Sequence, residues 1–239
     1  MYQKITIKNS DHLSGLLLPR LPLLFRIGNE QAKGCNFFYK ILRSDNKIAR
    51  MTLKSETKWQ EKLNSNLSVK FWDKILKFPQ KMLVPNKLIW TQIQINKYLL
   101  PTNYSVHHYD VNVSPLCSFC SAHPEELHLL IWGCGVVQQF WEMVANLITN
   151  FYPTFTLGEK EAIFGAEKYQ GDSVINTLLI LARYFIYQQK FTNKELDEVN
   201  FINYTQKHLY LIYHCKKLQN KVIKFTLEWD KLLDHFQII

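Results

Sequence analysis

Four side chains of metal-ligand type, Cys117, Cys120, His128 and Cys134, fall within one short stretch, and any fold of this chain has to accommodate that clustering. A Cys-x-x-Cys turn aims two thiolates at one centre. A His and a third Cys arriving from a following helical segment complete a tetrahedral set with no position left for water, the pattern of a structural rather than a catalytic zinc site. The spacing therefore predicts a zinc knuckle over residues 114–135 holding one structural Zn2+. His123, three residues after Cys120, is a rival ligand; His128 is preferred because it lies on the helical run leading to Cys134. The plainer alternative, that the three cysteines are small buried hydrophobes, is weakened by their clustering with a histidine.

Five cysteines, three of them in this stretch, do not make the even, dispersed framework of a secreted disulfide protein, and a reducing compartment is expected. No charged-then-apolar leader opens the chain, and the apolar run from Leu16 to Phe25 is interrupted by Pro19, Arg20 and Pro22. No other apolar run approaches the roughly 18 residues that a membrane span needs. The expectation is a soluble cytoplasmic or nuclear protein with no membrane partner. With 239 residues, 47% of them hydrophobic, and only eight Gly and eight Pro, the chain has material for one large or two small cores and few long loops.

The charge is uneven. Residues 1–100 carry 18 basic and 6 acidic side chains, residues 101–189 carry 3 and 8, and residues 190–239 carry 8 and 6. A basic first hundred residues attracts phosphate backbones, although a solvated basic face explains the same counts.

Along the chain, Leu16 to Leu24 are apolar residues broken by prolines, which reads as a docking segment cut from a larger protein. Apolar spacing predicts helices over Ala32–Ser44, over a charged segment from about Ser55 carrying Trp59 and Leu63, and over Ser68–Phe78 before Pro79. Pro85 is placed for a first helical position. Leu88, Ile89, Gln92, Ile95 and Leu99 follow at helical spacing up to Pro101, with Lys87 and Lys97 outward. The strongest helix signal runs through Val136, Val137, Phe140, Trp141, Val144, Leu147, Ile148 and Phe151, and it begins at the last proposed ligand. Phe155–Phe164 reads as a connector, with Gly158 and Gly165 at turns and room for a short strand or buried loop. A further apolar helix is predicted over Ser173–Gln189. From Asn193 onward, Leu196, Val199, Ile202, Gln206, Leu209 and Tyr213 share one helical face. Lys217, Lys221 and Lys224 fall at i, i+4 and i+7 there and could contact phosphates, solvated helix surface being the plainer reading.

The expected fold class is mainly α, a helical bundle-like region with an inserted zinc knuckle and room for a short strand pair. The expected organisation is a truncated linker or docking segment (1–34), a helical region with the knuckle (35–168) and a C-terminal helical tail (169–239).

Catalytic signatures are missing from the sequence. It has no phosphate-cradling Gly-x-x-x-x-Gly-Lys-Ser/Thr, no Gly-x-Ser-x-Gly elbow, no Gly-x-Gly-x-x-Gly turn and no His-Glu-x-x-His helix. No two aspartates are adjacent, as a two-metal polymerase centre commonly requires. His107, His108 and Asp110 lack a third partner and read as a surface loop, while Cys35 and Cys215 read as isolated buried thiols. The chain is expected to have no catalytic residues and no small-molecule substrate.

Beyond the ligand spacing, the flanks carry a resemblance. Phe38-Tyr39-Lys40-Ile41-Leu42, Lys58-Trp59-Gln60-Glu61, Phe71-Trp72-Asp73-Lys74-Ile75, Ser114-Pro115-Leu116-Cys117-Ser118-Phe119-Cys120, Glu126-Leu127-His128-Leu129-Leu130-Ile131-Trp132 and Val137-Gln138-Gln139-Phe140-Trp141 stand in order along the chain. Together they resemble the zinc-binding carboxy-terminal region of the reverse-transcriptase polyproteins of non-LTR (LINE-type) retrotransposons, over roughly residues 35 to 150. One departure is specific: five residues separate His128 from Cys134, where four are usual in that family, and the extra residue near Trp132-Gly133 is either absorbed by a local bulge or leaves Cys134 misaligned and the site weak. The resemblance implies a region without the polymerase and endonuclease parts, acting beside that missing polymerase part and binding RNA, with DNA as a further partner, in support of target-primed reverse transcription. On that reading Lys87, Lys97, Lys217, Lys221 and Lys224 are the candidate nucleic-acid contacts.

Overall fold

The computed structural model describes residues 53–82, 84–167, 172–192 and 195–238, the side chains of Lys81, Asp172 and Lys224 excepted. The expected helix over Ala32–Ser44, the Leu16–Leu24 segment and Cys35 lie outside these residues.

Helix α1 (Lys54–Lys62) buries Glu56 and Trp59, and the Trp59 indole N–H donates to Ile95 O at 3.0 Å. Helix α2 (Val69–Lys77) begins where Ser68 Oγ accepts from Phe71 N, and it turns Trp72 and Ile75 inward. Pro79 cannot continue the ladder, so the chain tightens into a 3-10 turn, Pro79–Lys81. Helix α3 (Asn86–Asn96) has Pro85 as its N-cap rather than its first residue, and it buries Leu88, Gln92, Ile95 and Asn96. Its two buried amides join elements: Asn96 Nδ2 donates to Ile75 O at 2.8 Å and Gln92 Nε2 to Ile163 O at 3.1 Å. The helix stops short of Pro101 because Tyr98 takes a φ of 55°, and Leu99, expected on the inner face, is exposed. A five-residue helix, α4 (Asn103–His107), follows a reciprocal Thr102–Ser105 capping box.

Helix α5 (Gly135–Thr149) has the predicted periodicity, burying Val137, Phe140, Trp141, Val144, Leu147 and Ile148. Val136 alone of the predicted stripe within the helix lies exposed. The expected connector over Phe155–Phe164 instead contains a helix, α6 (Glu159–Phe164), whose Ala162, Ile163 and Phe164 are buried. Gly165 ends it with a φ of +100°, where a Cβ would collide with the Asn176 side chain. That amide accepts from Ala166 N at 2.7 Å and donates to Ala166 O at 2.8 Å.

Helix α7 (Asp172–Thr192) is the centre of the core. It packs against α3, α5, α6 and the segment preceding α5, and residues on both sides of 168–172 contribute to one apolar cluster. Being covered on all sides, it is apolar around its circumference rather than striped. Arg183 is an exception within it: fully buried, it donates from Nη1 to Ala162 O at 2.8 Å, and burial pushes the guanidinium down to about 9.

Helices α8 (Glu198–Leu218) and α9 (Val222–His235) close the chain as an antiparallel pair. Two expectations are corrected here. The inner face of α8 is Phe201, Thr205, Leu209 and Ile212, so Val199 points outward, because Phe201 docks against Phe140 and Phe185 and sets the rotation. The tail is also two helices rather than one, broken where Asn220 adopts a φ of 54°, so Lys217 belongs to α8, Lys221 caps α9 and Lys224 lies within α9. The three do not form an i, i+4, i+7 row. After Ile212 no residue of α8 is buried, and Cys215, expected inside, is exposed.

The architecture is mainly α. Among the described residues there is no sheet, and the expected strand pair reduces to one antiparallel bridge, Leu116 with Pro124, inside the knuckle.

Candidate metal centre

The chain enters the site through that bridge. Cys117 N donates to His123 O at 2.8 Å and Glu125 N to Pro115 O at 2.8 Å, which folds the Cys-x-x-Cys loop back on itself. Ser121 N closes the turn on Cys117 O at 2.9 Å, with Ser121 itself at a φ of 53°. The third thiol comes from the N-cap of α5: Cys134 accepts the first intrahelical bond, from Gln138 N at 2.9 Å.

These elements bring the sulfurs of Cys117, Cys120 and Cys134 within 4.8 Å of one another. Zinc–sulfur bonds of about 2.3 Å in a tetrahedron place sulfurs about 3.8 Å apart, so a cation entering the cluster needs them to close by no more than about an ångström. Cys117 and Cys134 are buried and Cys120 is half-buried. Burial first, then the charge of Cys134, pushes the Cys117 thiol up to about 12, while the backbone N–H of Ala122 holds the Cys120 thiol below its ordinary range. Three soft donors facing one point, two of them shielded from water, can hold a metal ion. A bound cation inverts the proton preference, since coordinated thiols are deprotonated.

His128 occupies a different place. No ring nitrogen of His128 joins the group of atoms lying within 4.8 Å of one another. Its Nε2–H donates to Glu159 Oε1 at 2.5 Å, and the opposite edge of the ring faces Gly133, where a Cβ would stand 3.3 Å from Nδ1. The five residues between His128 and Cys134 form a single π-helical turn, Leu129–Gly133, closed by Cys134 N donating to Leu129 O at 3.0 Å. A π-turn is how a helix takes in one extra residue without losing its bonds. It sits on the core through Leu130 and Ile131, and the indole N–H of Trp141 donates to Ile131 O at 2.7 Å. His123, the rival ligand, is exposed and outside the thiol cluster.

Sequence reasoning missed Glu125. This carboxylate is fully buried: Oε1 accepts from Asn103 N at 2.8 Å, Oε2 accepts from Ser118 N at 2.8 Å and Ser118 Oγ at 2.6 Å, and the buried Lys190 ammonium bonds Oε1. It ties the Cys-x-x-Cys loop to α4 and to the end of α7. Its partners are scattered through the chain, so no local pattern marks it; the available signal was a charged residue within a short apolar-flanked motif.

The remaining predicted residues do not converge. Lys87 and Lys97 are exposed on and just beyond α3, with Lys87 Nζ over the Tyr184 ring at 5.3 Å. Lys217 and Lys221 are exposed at the α8–α9 turn. The Lys224 side chain lies outside the described set. His107 Nδ1 donates to Val113 O at 2.8 Å, His108 packs edge-on against Tyr104, and Asp110 accepts from Asn112, so these three are local turn contacts. Among the described residues no helix is long and apolar enough to cross a membrane. No family model matches the chain, and no curated protein matches it.

Proposed function

We propose that the chain is a non-catalytic, zinc-stapled, RNA-binding region of a non-LTR retrotransposon reverse transcriptase, working beside a polymerase part to support target-primed reverse transcription. The observation that carries this reading is the π-turn. The resemblance has one misfit, the extra residue before Cys134, and Leu129–Gly133 takes it up while Cys134 stays with the Cys117 and Cys120 thiols. Zinc is the ion best suited to such a cluster, since thiolate sulfur favours it over the hard oxygen-seeking cations. Binding there would fasten the loop to the start of α5 and contribute directly to folding.

Two charge features support RNA as partner. The first hundred residues hold 18 basic against 6 acidic side chains, and no Asp or Glu occurs from Val199 to Leu227, a stretch that includes Lys207, Lys216, Lys217, Lys221 and Lys224. Phosphate contacts of this kind release counterions, so binding weakens steeply with salt and shows little sequence preference in its electrostatic part. Filter binding of the full chain to a structured RNA at low and at physiological salt tests it: affinity is expected to fall by at least tenfold between the two. Absence of binding at low salt would falsify the RNA reading.

A second reading is favoured by Leu218, Ile223 and Leu227, which stand exposed around the α8–α9 turn. On it the knuckle only staples helices and the chain is a protein-interaction module. That reading gains if the RNA titration is flat.

A further inference from the structure

One tryptophan of this chain is placed unlike the others. Trp59, Trp72, Trp141 and Trp229 are buried and Trp132 is half-buried, whereas Trp90 stands 61% exposed. It belongs to α3, whose inner face is made by Leu88, Gln92, Ile95 and Asn96, and helical spacing turns Trp90 away from all four. The ring therefore adds little to the core. Its neighbours along that outer side are basic: Lys87 lies three positions before it and Lys97 seven positions after it, about 4.5 Å and about 10 Å away along the helix axis. Both lysines are exposed, and the Lys87 ammonium is steadied over the Tyr184 ring at 5.3 Å. No opposing charge comes from the same stretch, because residues 74–109 contain five lysines and no Asp or Glu.

We propose that Trp90 is a stacking platform for unpaired bases of single-stranded RNA, with Lys87 and Lys97 holding phosphates on either side of it. The proposal rests on the RNA reading above and narrows its ligand from RNA in general to unpaired strands. An exposed indole has a broad π-face, and a base laid on it is held whatever its identity. In a duplex the faces of each base are covered by its neighbours, so the same ring has nothing to stack on. Charge selects the occupant. A polyanion is attracted by the acid-free, lysine-flanked side of α3, while a second copy presenting the same side is repelled by it.

The test titrates the full chain at low salt with two probes, an unstructured oligouridine and a blunt RNA duplex of the same length. Trp90→Ala is expected to weaken oligouridine binding by about 5–100-fold, the usual effect of removing one stacked aromatic, and to leave duplex binding at its wild-type strength. Trp90→Phe, which keeps a ring, is expected to recover much of the loss. Lys97→Ala should flatten the salt dependence of oligouridine affinity by about 0.7 in log–log slope, one phosphate contact on a single strand. Tryptophan fluorescence gives a direct readout: oligouridine should quench the exposed indole of the wild type, and the quenching should vanish in Trp90→Phe. Equal losses on the two probes in Trp90→Ala, or quenching that persists in Trp90→Phe, overturn the proposal. Wild-type oligouridine affinity in Trp90→Ala overturns it as well and assigns the ring to a protein partner, with the RNA reading left standing. A wild-type chain that binds the duplex but not oligouridine has the same consequence for the platform, and one that binds neither overturns the RNA reading itself.

Discussion

Every residue of α7 from Val174 to Ile186 is buried, whereas between Val113 and Pro124 only Cys117 is. Helix α7 is ordered by area: each fully buried Leu, Ile or Phe contributes about 1.5–3 kcal/mol, and no single one is indispensable. The Cys-x-x-Cys loop of the knuckle has almost no apolar area to bury and is ordered by direction instead. Its ties are the bridge at Leu116 and Pro124, the bonds on Glu125 and the three convergent thiols. Order by area is distributed and forgiving. Order by direction rests on few groups and fails when one is removed.

Metal removal should separate the two regions most sharply. Chelation, or Cys117→Ser, is expected to cost on the order of 10 kcal/mol of binding energy. In hydrogen exchange the amides from Cys117 to His123 should lose protection while those of α7 keep it; equal loss in both would break the contrast. The pH dependence carries the same sign. Burial holds the Cys117 thiol protonated up to about 12, so binding must displace a proton, and apparent affinity should rise with pH between about 6 and 8, by about tenfold per unit for each proton released. The metal-free fold keeps the stability of that buried neutral thiol below the ordinary thiol range and loses it as pH climbs toward 12.

Glu125→Ala comes next. It strands the buried Lys190 ammonium and frees the Ser118 and Asn103 donors, with an expected cost of about 3–5 kcal/mol in chemical denaturation. Because Glu125 joins the two kinds of order, this substitution should lower metal affinity along with the melting temperature. A melting shift with unchanged metal affinity would show the knuckle to be self-sufficient. Leu178→Ala, in the middle of α7, should cost about 2–4 kcal/mol by leaving a cavity, with zinc affinity of the folded chain unaltered. A coupled loss of affinity would mean that the core positions the thiols more tightly than the contacts suggest.

What could be read in advance divides along the same line. The periodic face of α5 and the start of that helix at Cys134 were legible, because apolar spacing over four turns is a strong local signal and the ligand adjoins it. The clustering of Cys117, Cys120 and Cys134 was legible from spacing alone. Glu125 with Lys190 was not, since the pair is 65 residues apart in sequence and exists only once α7 has docked. Helix α6 is too short for periodicity to reveal and was read as a connector. The breaks after Asn96 and at Asn220 depend on single residues with positive φ, Tyr98 and Asn220, neither being the glycine that announces such a turn. Cys215 was misplaced because burial was inferred from residue type, and the last turn of α8 runs on past the residues that cover the rest of it.

The π-turn has a consequence for the history of the chain as well as for its shape. A residue gained or lost inside a regular helix rotates everything beyond it by about 100°, which in α5 would swing Phe140, Trp141 and Val144 out of the core. Between His128 and Cys134 the same change converts an α-turn to a π-turn or back, and the rotation is absorbed before α5 begins. Leu129–Gly133 is thus the place in this motif where a single-codon insertion or deletion can be carried without scrambling the helix that follows.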